Sequence, residues 1–298
     1  MLPLWSVLSL VSLMSNPATH EAHPSTTPPA ANTLPVRVAS YNAWLLPFGS
    51  TDIFGRASKM GPAIRELEPD LLCLQEAWYN DTTEAIRISL RERLPYSIIA
   101  GGGLATLSRW PIVWTEFIPF DEHPKLSMVE RFAKKGWLLT IVGTPLGPIQ
   151  VVNTHLVWEG RRASGNKQDR AHWFQVTALN EALRHRNTLP TILCGDLNHR
   201  AIEGQTPTDE FAQWLGNGFI DAAQPTPLAG RWAPRTRTRA GYPRSANTPP
   251  RGGDPDYILF RPGSTLSFAV RSFRQALDTA ETALSDHNLL LADLLLTK

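Results

Sequence analysis

The sequence predicts one α/β domain running from residue 36 to residue 298. Three observations lead there. Short apolar runs alternate with amphipathic stretches, the composition does not break after residue 36, and no segment repeats. Hydrophobic residues make up 42% of the chain and charged residues 19%, which is enough apolar material for a large core. The formal net charge of +2 is too small to imply a nucleic-acid partner from bulk charge.

Taken in order, Val36 to Asn42 reads as the first strand. Val36, Val38, Ser40 and Asn42 share one face, so Asn42 reaches the strand end on the buried side. Ala57 to Leu67 carries Met60, Ile64 and Leu67 on one helical stripe, with Pro62 limiting the first turn. Asp70 to Trp78 is apolar almost throughout, as in a sheet covered on both faces. Alternation sends Leu72, Leu74 and Glu76 the same way. Thr82 or Thr83 can cap a helix to Leu94, with Ile86, Leu90 and Leu94 spaced by four. Leu104 to Leu107 is a further strand, and Phe117 to Ala133 fits neither period.

Trp137 to Val142 and Ile149 to Leu156 read as an antiparallel pair joined at Pro145-Leu146-Gly147-Pro148. A helix from Asp169 to about His185 turns Val176, Leu179 and Leu183 to the core. A buried strand through Thr191-Ile192 follows, and Thr208-Asp209-Glu210 opens a helix that Gly216 or Gly218 stops. Asp256 to Phe260, Phe268 to Phe273 and Asn288 to Leu296 are the last strands. Cys73 and Cys194 sit in apolar strands and read as buried free thiols. Residues 1–35 are expected to lie outside the domain. Leu2 to Met14 is apolar but too short to span a bilayer, and Asn16 to Pro35 is rich in Pro and Thr. A signal peptide and disordered linker, and hence a secreted or periplasmic protein, are the expectation.

Candidate chemistry sits where apolar patterns stop: at Asn42, Glu76, His155, Asp196 with Asn198, Asp256, and Asp286 with His287. Any one of these is most simply a turn residue or a satisfied core group. Their recurrence at successive strand ends points to a shared polar site on one rim. The key stretch is Leu193 to Arg200, in which Asp196 and Asn198 leave a buried strand on one side, with Gly195 adding no bulk. Glu76 ends a long apolar run, so its carboxylate needs an Arg or a hard cation. Mg²⁺ takes oxygen ligands and often only one or two protein carboxylates, and Glu76 with Asn42 and Asp286 suits it. Residues 36–298 hold no close His pair and no Cys-x-x-Cys, which argues against zinc in the domain. His287, in Ser285-Asp286-His287, becomes a competent general base if a carboxylate holds its other ring nitrogen.

These residues fall in motifs: Tyr41-Asn42-Ala43-Trp44, Leu74-Gln75-Glu76, Asn153-Thr154-His155-Leu156, Gly195-Asp196-Leu197-Asn198, Asp256-Tyr257-Ile258 and Ser285-Asp286-His287. As an ordered set covering about residues 36 to 296, they resemble the endonuclease/exonuclease/phosphatase superfamily of metal-dependent phosphodiesterases. The resemblance implies a four-layer α/β sandwich, with two packed, mostly antiparallel β-sheets flanked by helices. It implies a divalent metal at Glu76 and Asn42 with Asp286 beside one, taken as one or two Mg²⁺ ions, with Mn²⁺ as a substitute. Asp196 would orient or deprotonate the attacking water, and Asn198 would hold it or a phosphate oxygen. His155 would bond the phosphoryl group, and Asp256 would orient His287 as base or acid.

Asn42-Ala43-Trp44-Leu45-Leu46-Pro47 and Lys135-Gly136 look like the neutral sphingomyelinase branch, with departures at Lys134 and Val157. Lys135 would then meet a phosphate as a point charge. The expected partner is a phospholipid or other phosphodiester met at a membrane surface by a monomer. A secreted deoxyribonuclease-like endonuclease is the alternative. The stretch holding Arg231, Arg235, Arg237, Arg239, Arg244 and Arg251 can grip a nucleic-acid backbone as readily as anionic headgroups.

Overall fold

The first strand, β1 (Thr33–Leu45), is buried on both faces from Val38 onward, which requires a layer on each side of it. It belongs to a computed structural model that describes residues 32–47, 50–121, 128–158, 167–203, 206–223, 255–279 and 281–298. The expected leader, almost all of the linker, and the Arg-rich stretch 231–251 lie outside the described residues. After β1 come α1 (Ile53–Arg65), β2 (Leu71–Ala77), α2 (Asn80–Leu90), β3 (Tyr96–Ile99), β4 (Ala105–Ser108), β5 (Ile112–Pro119) and α3 (Met128–Ala133). Then follow β6 (Gly136–Thr144), β7 (Gly147–His155), α4 (Lys167–Arg184), β8 (Thr191–Asp196), β9 (Ile202–Glu203), β10 (Thr206–Pro207) and α5 (Asp209–Gly216). The chain closes with β11 (Ile220–Asp221), β12 (Asp256–Arg261), β13 (Ser267–Ala276) and β14 (Leu289–Thr297).

Two six-stranded sheets result, ordered β13-β14-β1-β2-β4-β3 and β11-β12-β8-β7-β6-β5. Each is antiparallel except for one central pair, β1 with β2 and β7 with β8. Side-chain alternation sorts three cores. Val36, Val38, Leu71, Cys73, Val151, Ile192 and Cys194 fill the space between the sheets. Ala39, Tyr41, Leu72 and Leu74 pack with Met60, Ile64, Ile86 and Leu90 of α1 and α2. Leu139, Val152 and Leu193 pack with Val176, Leu179, Phe211 and Trp214 of α4 and α5. The order is therefore helix, sheet, sheet, helix, the four-layer sandwich expected. Each Leu or Ile so buried contributes about 1.5–3 kcal/mol.

A buried polar link crosses the inter-sheet core. Gln75 Nε2 donates to Asn153 Oδ1 (2.8 Å), and Asn153 Nδ2 donates to the carbonyls of Leu74 and Ala105 (2.9 Å each). Both cysteines are free and buried, as expected.

Differences from expectation have local causes. α1 begins at Ile53 rather than Ala57, after Asp52 in the left-handed region (φ 45°), so Pro62 lies inside the helix. β3 and β5 are sheet edges with half-exposed faces, so neither shows a clean apolar period. The stretch that fitted neither period begins with the last residues of β5 and ends with α3. Among the described residues, no helix is long and apolar enough to cross a membrane.

Candidate active site

The C-terminal ends of β1, β2, β7 and β8 meet the N-terminal ends of β12 and β14, and Asn42 lies at their centre. The backbone N–H of Trp44 donates to Asn42 Oδ1 (3.0 Å), which fixes the amide orientation. Asn42 Nδ2 then donates to both Glu76 Oε1 (3.1 Å) and Asp196 Oδ2 (3.0 Å). In this arrangement Asn42 joins two carboxylates from opposite sheets through its NH₂, while the oxygen expected to face a metal is held by Trp44.

Glu76 gets there by breaking its strand's alternation. Leu72 and Leu74 face the helices, and strict alternation would carry Glu76 with them. Instead Glu76 adopts a left-handed backbone (φ 54°) beside a register shift between Asn42 and Leu45. Trp44 (φ 49°) and Asn198 (φ 53°) are left-handed too, and Lys134 (φ 43°) adjoins Lys135. Side chains other than Gly rarely hold that conformation, and where they do the strain is often at a working site.

In the second sheet, His155 and Asp196 are cross-strand partners on β7 and β8, and Asp256 faces Asp196 from β12. Gly195 is required here, because a Cβ would sit 2.2 Å from the Thr154 carbonyl oxygen. Beyond the strand, the Asn198 N–H donates to Asp196 Oδ1 (3.0 Å) and Asn198 Nδ2 to the Leu156 carbonyl (2.9 Å). Asp256 Oδ2 accepts from His287 Nδ1 at 2.8 Å. His287 Nε2 lies 3.8 Å from both Asp196 Oδ2 and Asp286 Oδ1. His155 Nε2 is 3.6 Å from Asp196 Oδ2 and 3.9 Å from Glu76 Oε1.

Lys135 is no solvated lysine: it is buried, with Nζ 3.2 Å from His155 Nε2 and donating to the Leu156 carbonyl (3.0 Å). Glu130, which the sequence did not single out, pairs with it at 3.3 Å. Ser285 was also missed as a connector: its Oγ donates to the Asn42 carbonyl (2.6 Å) and accepts the His287 N–H (3.2 Å). The preceding motif word, Ser-Asp-His, is the signal that could have marked it.

Burial and neighbouring charges together set the charge states. It pushes the Glu76 carboxyl up, as does Asp286, against His287, Asn42 and Lys135. Burial likewise pushes Asp196 up to about 7, helped by Asp256 and Glu76 and opposed by His287 and Asn42. At His287 burial pulls the other way, but the charge and hydrogen bond of Asp256, with Asp196 and Asp286, raise it to about 10. The imidazolium is therefore held between carboxylates.

Among the described residues, two sets of candidate ligand atoms each lie mutually within 4.8 Å, one from Glu76, His155 and Asp196 and one from Asp196, Asp256 and His287. In the first, Glu76 Oε2 is buried without a hydrogen-bond partner. An orphaned carboxylate oxygen beside a second carboxylate is a donor set suited to a hard dication. Asp286 lies on the His287 side of the site, outside that first group.

The whole constellation falls inside one family match: the model for the Endonuclease/Exonuclease/phosphatase family covers residues 39–287. The chain belongs to the endonuclease/exonuclease/phosphatase family. Within it, the chain is 25% identical over 181 residues to a Drosophila melanogaster protein described as a putative neutral sphingomyelinase. That match covers 55% of this chain and only 39% of the relative. Solved structures share the family fold. Sphingomyelinase C of Streptomyces griseocarneus superimposes with a TM-score of 0.63 at 19% identity, covering 87% of this chain and 99% of its own. A mutant Staphylococcus aureus beta toxin with bound magnesium ions gives 0.64 at 17%, covering 87% and 99%. The human Nocturnin catalytic domain with bound sulfate gives 0.63 at 18%, covering 89% and 97%.

Proposed function

We propose that this family member is a Mg²⁺-dependent phosphodiesterase of the sphingomyelinase or phospholipase C type, exported from the cell, with Mn²⁺ as a substitute metal. The observation that carries the hydrolytic reading is Asn42 bridging Glu76 and Asp196 between the rings of His155 and His287. Glu76 would hold the ion through its unpartnered oxygen, with Asp196 beside it. A bound dication supplies positive charge to the phosphoryl oxygens. The chain's own groups do the rest. Asp196, near neutral pH in its titration, accepts a proton from the attacking water, and the Asn198 N–H fixes its carboxylate. His287, kept protonated and oriented by Asp256, gives a proton to the leaving oxygen. His155, with Lys135 against its ring, bonds a phosphoryl oxygen.

A lipid substrate is favoured by the described relative and by aromatic groups around the same rim. Phe54, Tyr79, Phe132 and Trp158 are exposed, and each lies in or beside a connection at the site end of the sheets. Such side chains suit peripheral contact with a bilayer interface. The test is an assay of the purified protein on choline-phospholipid vesicles and on plasmid DNA, each with Mg²⁺ and with EDTA. Mg²⁺-dependent phosphocholine release without nicking is expected, and loss of about 10²–10⁴-fold in His287→Ala and Asp196→Asn with the fold retained. Nicking without lipid cleavage would replace this reading with a secreted endonuclease.

A further inference from the structure

We propose that Arg56 is a positioning residue that locks the Asn42 half of the site to the His287 half. This rests on the function proposed above. Arg56 lies in the first turn of α1 with its side chain almost wholly buried (1% exposed). Its donors go to backbone carbonyls of three separate segments. Nε reaches Thr51 (2.8 Å), Nη1 reaches both Ala43 (3.0 Å) and Leu284 (2.9 Å), and Nη2 reaches Trp44. The guanidinium carbon also lies 4.8 Å from the centre of the Trp44 ring.

The choice of carbonyls is what points to function. Ala43 and Trp44 directly follow Asn42 in the register shift of β1, where Trp44 is left-handed and its N–H holds the Asn42 amide that faces Glu76 and Asp196. Leu284 directly precedes Ser285-Asp286-His287. Ser285 spans the same two segments from the other side, through the Asn42 carbonyl and the His287 N–H. The strained end of β1 and the loop carrying the imidazole are thus fastened twice, once by a guanidinium and once by a hydroxyl. A planar fork with five donors can hold several carbonyls at fixed angles, and an ammonium on a flexible stem cannot. A buried charge is costly unless fully bonded, so its retention here calls for a role beyond filling space.

The test joins kinetics to hydrogen exchange. In Arg56→Met, kcat should fall about 100-fold, the size expected for a displacement near 1 Å, with KM changed less than about threefold. Amide exchange should rise together in residues 42–45 and 284–288 while β7 and β8 keep wild-type protection. If Arg56→Met does not fold, Arg56→Lys replaces it and should show the same kcat loss and paired loosening. Wild-type kcat in a folded variant, or exchange rising in one segment only, overturns the proposal. Exchange is read without substrate, so an inactive wild type would sink the proposed function while the paired loosening still decides this inference.

Discussion

At the residue scale, the site is a contest between burial and charge. Asp196 has an ordinary carboxyl value of 3.8 and is raised to about 7 in the fold. Folding therefore takes up a proton at Asp196 between those values, and this group's share of metal-free stability falls as pH rises across that window. A divalent ion needs the ionised carboxylates, so binding expels the proton. Mg²⁺ affinity is expected to climb with pH and level off above about 7, with His287 still protonated throughout. Calorimetric titrations in buffers of different ionisation enthalpy read the released proton directly, and an affinity flat between about pH 5.5 and about 8 would contradict this. The identities of these residues were legible, because a polar group ending an apolar strand stands out. Their orientations were not. Period-two alternation sends Glu76 toward the helices, and only the left-handed backbone at Glu76, which no residue type announces, turns it to Asn42. The burial of Lys135 was hidden for a similar reason, since its partner Glu130 lay in a stretch without readable period.

At the scale of elements, long buried strands and amphipathic helices were readable to within a few residues, and edges were not. β1, β2, β7 and β8 are buried along most of their length on both faces, so apolar residues dominate them with only scattered polar interruptions. β3 and β5 pair on one side only and mix exposed with half-buried residues, which leaves no pattern to find. The side-chain link of β2 to β7 across the core is also invisible in sequence, since Gln75 and Asn153 each look like an ordinary polar neighbour of a catalytic residue. Asn153→Ala would strip partners from the Leu74 and Ala105 carbonyls and from Gln75 Nε2. Each buried group left unsatisfied costs about 1–3 kcal/mol. Chemical denaturation should show the midpoint falling with the slope unchanged, and a variant as stable as wild type would mean the link carries no net stability.

At the scale of the molecule, the two sheets form the site only where they meet. Glu76 comes from one sheet and Asp196 from the other, and like charges there oppose the docking of the layers. An ion bound between them should act as a stabiliser of the whole sandwich. At about 100 times its dissociation constant, Mg²⁺ adds about 2.7 kcal/mol. For a domain of this size that raises Tm by roughly 5–10 °C. Thermal unfolding with Mg²⁺ against EDTA measures it, and Glu76→Gln should lose most of the shift. An equal rise in that variant would move the ion elsewhere.

His155, Asp196 and Asp256 stand side by side on three adjoining strands of one sheet. Their separation is thus gauged by the backbone ladder, whose strands lie about 4.8 Å apart, and not by the reach of flexible side chains. Connections beyond that rung can be lengthened, recharged or exchanged without altering the gauge. A protein built this way can trade one phosphodiester for another by rewriting its rim alone, while the distances its chemistry needs are inherited with the sheet.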